Sequence, residues 1–85
     1  MYSLSFLKSA IKDLEKLDKL TAQRIVDRIQ WLSENLEITK LFPLKGDLTG
    51  LYKLREGSYR IIYEIVRKEK VMIIHFVGHR KDIYK

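Results

Sequence analysis

The chain contains no cysteine, which excludes disulfide frameworks, thiolate metal sites and cysteine nucleophiles together. That absence fits a reducing compartment. With only two histidines and no evident carboxylate pairing beside them, a metal centre is not expected. Long apolar runs are missing too. The longest are residues 61–63 and 71–77, the second interrupted by His75, and neither could span a bilayer. Residues 1–10 lack a basic start followed by a long apolar segment, so no signal peptide is expected and the cytoplasm is the expected location. There is no internal repeat, low-complexity segment or linker. Eighty-five residues leave room for one modest core, hence a single domain over 1–85.

What is present is positive charge. Lys and Arg total 17 against 11 Asp and Glu, giving +6 and a pI near 9.7. A basic domain of this size attracts polyanions: nucleic acid, an acidic membrane surface or an acidic partner protein. The 46% hydrophobic content, recurring throughout the chain, is that of a folded protein despite 33% charge.

Periodicity divides the chain into elements. Tyr2-Ser3-Leu4-Ser5-Phe6 alternates apolar and polar, the pattern of a half-buried strand. Ser9 is positioned to cap a following helix in which Ile11, Leu14, Leu17 and Leu20 recur every three residues. Thr21 is the expected cap of a second helix running to about Leu36, with Ile25, Ile29 and Leu32 on one stripe. Trp31, close to that stripe, is expected in the core. Between residues 37 and 50 the pattern breaks around Pro43, Gly46 and Gly50. Period two then returns: strands are predicted over 51–55, 59–66 and 71–77, with tight turns at 56–58 and 68–70 and a stop at Gly78.

The predicted fold class is therefore α+β. An N-terminal strand and a helical hairpin precede a three-stranded antiparallel meander (β-α-α-β-β-β), with the helices packed on one face of a twisted sheet. Strand alternation sorts the side chains. Tyr52, Leu54, Tyr59, Ile61, Tyr63 and Ile65 should meet the helices, while Lys53, Arg55 and Arg60 gather on the opposite, solvent-facing surface. Three cations on adjacent strands repel one another, which a sheet built only for stability avoids. The cluster reads as aimed at phosphate. Shared alternation also makes Tyr52, Tyr59 and Tyr63 packing residues rather than a base-stacking platform, and His75 a hydrogen-bonded strand histidine.

Two stretches carry a family resemblance. Tyr59-Arg60-Ile61-Ile62-Tyr63, preceded by Leu51-Tyr52-Lys53-Leu54-Arg55, and the ending Gly78-His79-Arg80-Lys81-Asp82-Ile83-Tyr84 together resemble the C-terminal half of RelE-type toxins. The upstream strand and helical hairpin match the same RelE/ParE superfamily in order and length. The resemblance implies a metal-free endoribonuclease, without any small-molecule cofactor, that enters the ribosomal A site and cleaves messenger RNA there. Its implied partners are the ribosome, messenger RNA and a cognate antitoxin, whose acidic segment would match the +6 charge. The chemistry is attack by the substrate's own 2′-hydroxyl on the adjacent phosphate. It needs removal of a proton, stabilisation of charge on phosphorus, and protonation of the leaving oxygen.

By that resemblance, Lys53 is the base or a cation supporting one, and Arg60 clamps the scissile phosphate through its planar guanidinium. Arg80 serves transition-state charge or the leaving group, and Tyr84 stacks on or protonates around the cleaved nucleotide. Arg55 contacts RNA or ribosome, and Lys81, next to Arg80 in the basic tail, is a second RNA-binding candidate. His79 stands where some relatives carry another basic residue, and imidazole titrates near neutrality, which suits it to proton transfer. Leu51 replaces a further family lysine, and the segment between Arg80 and Tyr84 is shorter than in some members. Two other readings share the fold: a ParE-like inhibitor of DNA gyrase, and an inert relative that only binds antitoxin or nucleic acid.

Overall fold

The computed structural model describes residues 1–79. Its elements are β1 (Ser3–Phe6), α1 (Lys8–Glu15), α2 (Lys19–Asn35), β2 (Phe42–Pro43), β3 (Tyr52–Glu56), β4 (Tyr59–Val66) and β5 (Val71–His79). Short 3-10 turns lie at Leu36–Ile38 and Gly46–Leu48. The five strands form one sheet in the order β1-β5-β4-β3-β2. Only the β1–β5 pair is parallel; the other three pairs are antiparallel. The predicted α+β architecture stands, with β2 added in the stretch read as irregular.

The core lies between the helices and one face of the sheet. From α2 it takes Ile25, Ile29 and Leu32, all fully buried, and from the sheet Leu54, Ile61, Tyr63, Met72, Ile74 and Val77. Removing each large aliphatic side chain from water contributes about 1.5–3 kcal/mol. Trp31 is not part of this core. It is 42% exposed, because one residue step turns the helix by about 100° away from Leu32. The inward residues are Ala10 and Leu14 of α1 and Leu17 in the turn after it, not the three-residue ladder expected: Ile11 is 45% and Leu20 is 79% exposed.

The helix starts also differ from expectation. Asp18, not Thr21, caps α2: its carboxylate accepts from the Thr21 N–H at 3.1 Å and from the Thr21 hydroxyl at 2.6 Å. Those two bonds, hydroxyl first, hold the Asp18 carboxyl below its ordinary pKa. Ser9 lies inside α1, behind the cap residue Leu7, and donates its hydroxyl to the His75 carbonyl.

That contact explains how α1 docks. β1 pairs with β5 only as far as Ile74, and β5 then carries a bulge opposite Ile62 and Tyr63. Beyond that point α1 replaces the missing strand. Ser9 satisfies the carbonyl of His75, and the Asp13 carboxylate accepts from the Val77 N–H at 2.9 Å. Asp13→Ala orphans that part-buried amide and should lower stability by about 1–3 kcal/mol. Asp13→Asn, which keeps an acceptor oxygen, should recover most of the loss. Urea unfolding of the two variants beside the exposed-site control Lys12→Ala measures the difference.

Candidate functional site: a basic cleft at the sheet edge

The β3–β4 hairpin brings the cations together. Its loop is two residues, Gly57 and Ser58, and Gly57 takes φ +59°, as a type II′ turn requires at its first central position. This turn fixes the register, placing Arg55 directly opposite Arg60 and Lys53 opposite Ile62. Like charges directly opposite one another destabilise a ladder, yet here two arginines face each other at the hairpin's end.

The two arginines differ in setting. Arg55 is exposed, whereas Arg60 is only 8% exposed, so the expected solvent-facing position holds for Arg55 alone. Arg60 Nη1 donates to the Tyr59 carbonyl at 3.3 Å, and Gly78 of β5 lies opposite it without a side chain. Ile62, on the same face, is fully buried outside the helix-side core.

A cleft of about 390 Å³ opens where β2 stops after two residues and leaves the end of β3 uncovered. Its walls are Arg28 and Leu32 from α2, Thr39, Lys40 and Phe42 from the connection and β2, and Lys53, Leu54, Arg55, Arg60 and Tyr63 from the hairpin. Five of these residues are cations and none is acidic. Such a surface, with apolar walls lowering the local dielectric, concentrates positive potential on one ligand. Tyr63 is a neutral wall: burial, assisted by neighbouring Tyr52 and partly opposed by Arg67, pushes its phenol up to about 12. It stacks on Tyr52 with ring centroids 5.6 Å apart, which makes these tyrosines packing residues as expected.

The predicted site residues divide in three. Lys53, Arg55 and Arg60 come together in the cleft. His79 does not line it: paired with Tyr59 in the ladder, its ring meets the Tyr59 ring edge-on at 5.6 Å, on the face that Tyr59 shares with the core. Arg80, Lys81 and Tyr84 lie outside the described residues. His75 has its partner in Glu64, whose carboxylate lies 2.9 Å from Nε2.

Two cleft residues went unnoticed in the sequence. Arg28 read as part of the solvated helix face, but it stands three residues after Ile25 and four before Leu32, the flank of the buried stripe. Its guanidinium also lies 4.6 Å from the Trp31 ring centroid. Lys40 carried no signal beyond its charge. Among the described residues no group of three or more His, Cys, Asp and Glu is arranged to hold a metal, and no helix is long and apolar enough to cross a membrane.

The fold, a helical hairpin on a five-stranded sheet, is that of solved RelE toxin structures. The toxin in the crystal structure of the RelBE2 toxin–antitoxin complex from Mycobacterium tuberculosis superposes with a TM-score of 0.82 at 30% identity, covering 93% of this chain and 98% of that one. Toxin RelG of M. tuberculosis is 33% identical over 86 residues, 99% of this chain and 97% of its own. Toxin RelE of the same organism is 31% identical over 87 residues, covering 99% and 87%. The family model for the ParE toxin of type II toxin–antitoxin systems, parDE, matches residues 4–84. The chain belongs to this RelE/ParE family of toxins.

Proposed function

We propose that this toxin is a ribosome-dependent endoribonuclease that cuts messenger RNA in the A site without a metal ion, and that a cognate antitoxin neutralises it. The observation that carries the reading is the cleft: among the described residues it gathers five cations and no carboxylate, with Arg60 almost wholly buried. Cleavage by the substrate's own 2′-hydroxyl forms a bond to phosphorus and breaks the bond to the 5′-oxygen, leaving a cyclic phosphate and a free hydroxyl. The protein needs to supply only charge stabilisation and two proton transfers. Arg60 clamps the phosphate oxygens, and Lys53 takes the 2′-proton or supports the group that does. Arg55 holds the flanking backbone. Arg80 and Tyr84 complete the set, serving the developing charge and the leaving oxygen, with Lys81 adding charge for the RNA; His79, packed on Tyr59 away from the cleft, is left out of the proton transfers. An acidic antitoxin segment over the cleft would block it, in keeping with the antitoxin-bound state of the RelBE2 relative.

The match to the ParE toxin model favours one second reading, a gyrase inhibitor that cuts no RNA itself. Primer extension on messenger RNA in a purified translation reaction separates the two. Cuts at A-site codons that require ribosomes are the expected result, with Arg80→Ala weakening them. An uncut message, together with inhibited supercoiling in a parallel gyrase assay, would replace this reading with the second.

A further inference from the structure

Phe42 is an aromatic residue that the core does not use. It is 50% exposed, belongs to no part of the buried cluster, and sits in a strand of two residues at the sheet edge. Its position is nonetheless set by the ladder. Phe42 is the direct antiparallel partner of Lys53, and directly opposite residues present their side chains on the same face, with Cβ atoms about 5 Å apart. The ring therefore stands beside Lys53 on the sheet face that also carries Arg55 and Arg60, and it lines the same cleft. Lys40 Nζ lies 5.7 Å from the ring centroid, adding a cation at the edge of the aromatic surface. Pro43, next in the strand, stiffens the backbone there and has no N–H to offer a further strand.

An apolar ring left half in water beside five cations matches a ligand that is both anionic and aromatic. A nucleotide in single-stranded RNA is such a ligand: its phosphate suits Lys53 and Arg60, and its base has a π-face free to stack. An acidic peptide would satisfy the cations but gain nothing specific from the ring. We infer that Phe42, flanked by Lys40, is a base-stacking subsite for the nucleotide next to the phosphate held by Lys53 and Arg60. This deepens the reading of the cleft as an RNA site and rests on it.

The test uses ribosomes programmed with a short messenger RNA that carries the fluorescent base 2-aminopurine in the A-site codon, 2′-O-methylated there to stop cleavage, and the same programmed RNA with that base removed. Wild-type protein should quench the fluorophore and bind the intact RNA more tightly than the abasic one. Phe42→Leu, which keeps an apolar side chain without a π-face, should abolish the quenching and weaken binding of the intact RNA about 5- to 150-fold, the range seen when a stacking aromatic is removed. It should leave the abasic RNA's affinity unchanged, and Phe42→Trp should restore the quenching. Arg60→Ala should weaken both RNAs alike. If Phe42→Leu binds and quenches like wild type while Arg60→Ala is impaired, the stacking subsite is wrong and the RNA cleft stands. If wild type binds neither RNA, both are overturned. Circular dichroism melts matching wild type show that the Phe42 variants are folded, as a residue outside the core allows.

Discussion

Arg60→Ala is expected to lower the rate of ribosome-dependent cleavage by about 10²–10³-fold, the loss seen when one preorganised charge-stabilising donor is removed from an active site. The size follows from where the guanidinium sits. At 8% exposure it is shielded from water, and an interaction with a phosphate there is stronger than one at the surface. Its hydrogen bond to the Tyr59 carbonyl and its register opposite Arg55 hold it in place before substrate arrives, so little reorganisation is needed as charge builds on phosphorus. Arg60→Lys should recover only part of the rate, because an ammonium is a point charge and cannot grip two phosphate oxygens in one plane. Arg55→Ala, at the exposed partner, should instead weaken substrate binding with a smaller effect on the chemical step. Single-turnover cleavage followed by primer extension gives all three values. A rate for Arg60→Ala within a few-fold of wild type would remove this residue from the site.

The face assignment behind that prediction was legible in eight residues. Period two over Tyr59–Val66 puts Ile61 and Tyr63 on one side and Arg60 on the other, and the core follows it. The order of elements was equally plain, because each carries several turns or alternations. What escaped notice was short or long-range. β2 has two residues, too few to show any period. The β5 bulge is invisible because Ile73-Ile74-His75-Phe76 reads as unbroken strand; only pairing with β4 reveals it. Ser9 and Asp13 act on a strand more than sixty residues away, so nothing local marks Asp13 and Ser9 passes for a helix cap. Thr21 was mistaken for a cap because it takes part in one, as donor to Asp18 rather than acceptor.

The site was legible in part for the same reason. Lys53, Arg55 and Arg60 are joined by a two-residue turn, so strand alternation alone assembles them. Arg28, Lys40 and Phe42 reach the same cleft only through the packing of α2 and the β2 edge, and no spacing along the chain encodes that. Arg60's burial was missed because alternation tells which face a residue occupies and not how deeply it lies.

Ile61→Ala should produce the opposite result to its neighbour. Ile61 is fully buried, stands between Leu54 and Val77 in the register, and belongs to the helix-side core. Truncating it removes transfer free energy and leaves a cavity that a close-packed interior fills poorly, costing about 2–5 kcal/mol. A domain of this kind has roughly 5–15 kcal/mol in total, so the midpoint of thermal unfolding should fall by on the order of ten degrees or more. Cleavage by the surviving folded fraction should remain. Arg60→Ala, one residue away on the other face, should melt close to wild type and yet lose its activity. Thermal denaturation by circular dichroism, set beside cleavage assayed well below each midpoint, resolves the pair. Should Arg60→Ala melt as early as Ile61→Ala, the arginine would be a structural residue and its inactivity would say nothing about chemistry. The expected pattern, with stability lost at Ile61 and catalysis lost at Arg60, would show one strand serving the core on one face and the phosphate on the other.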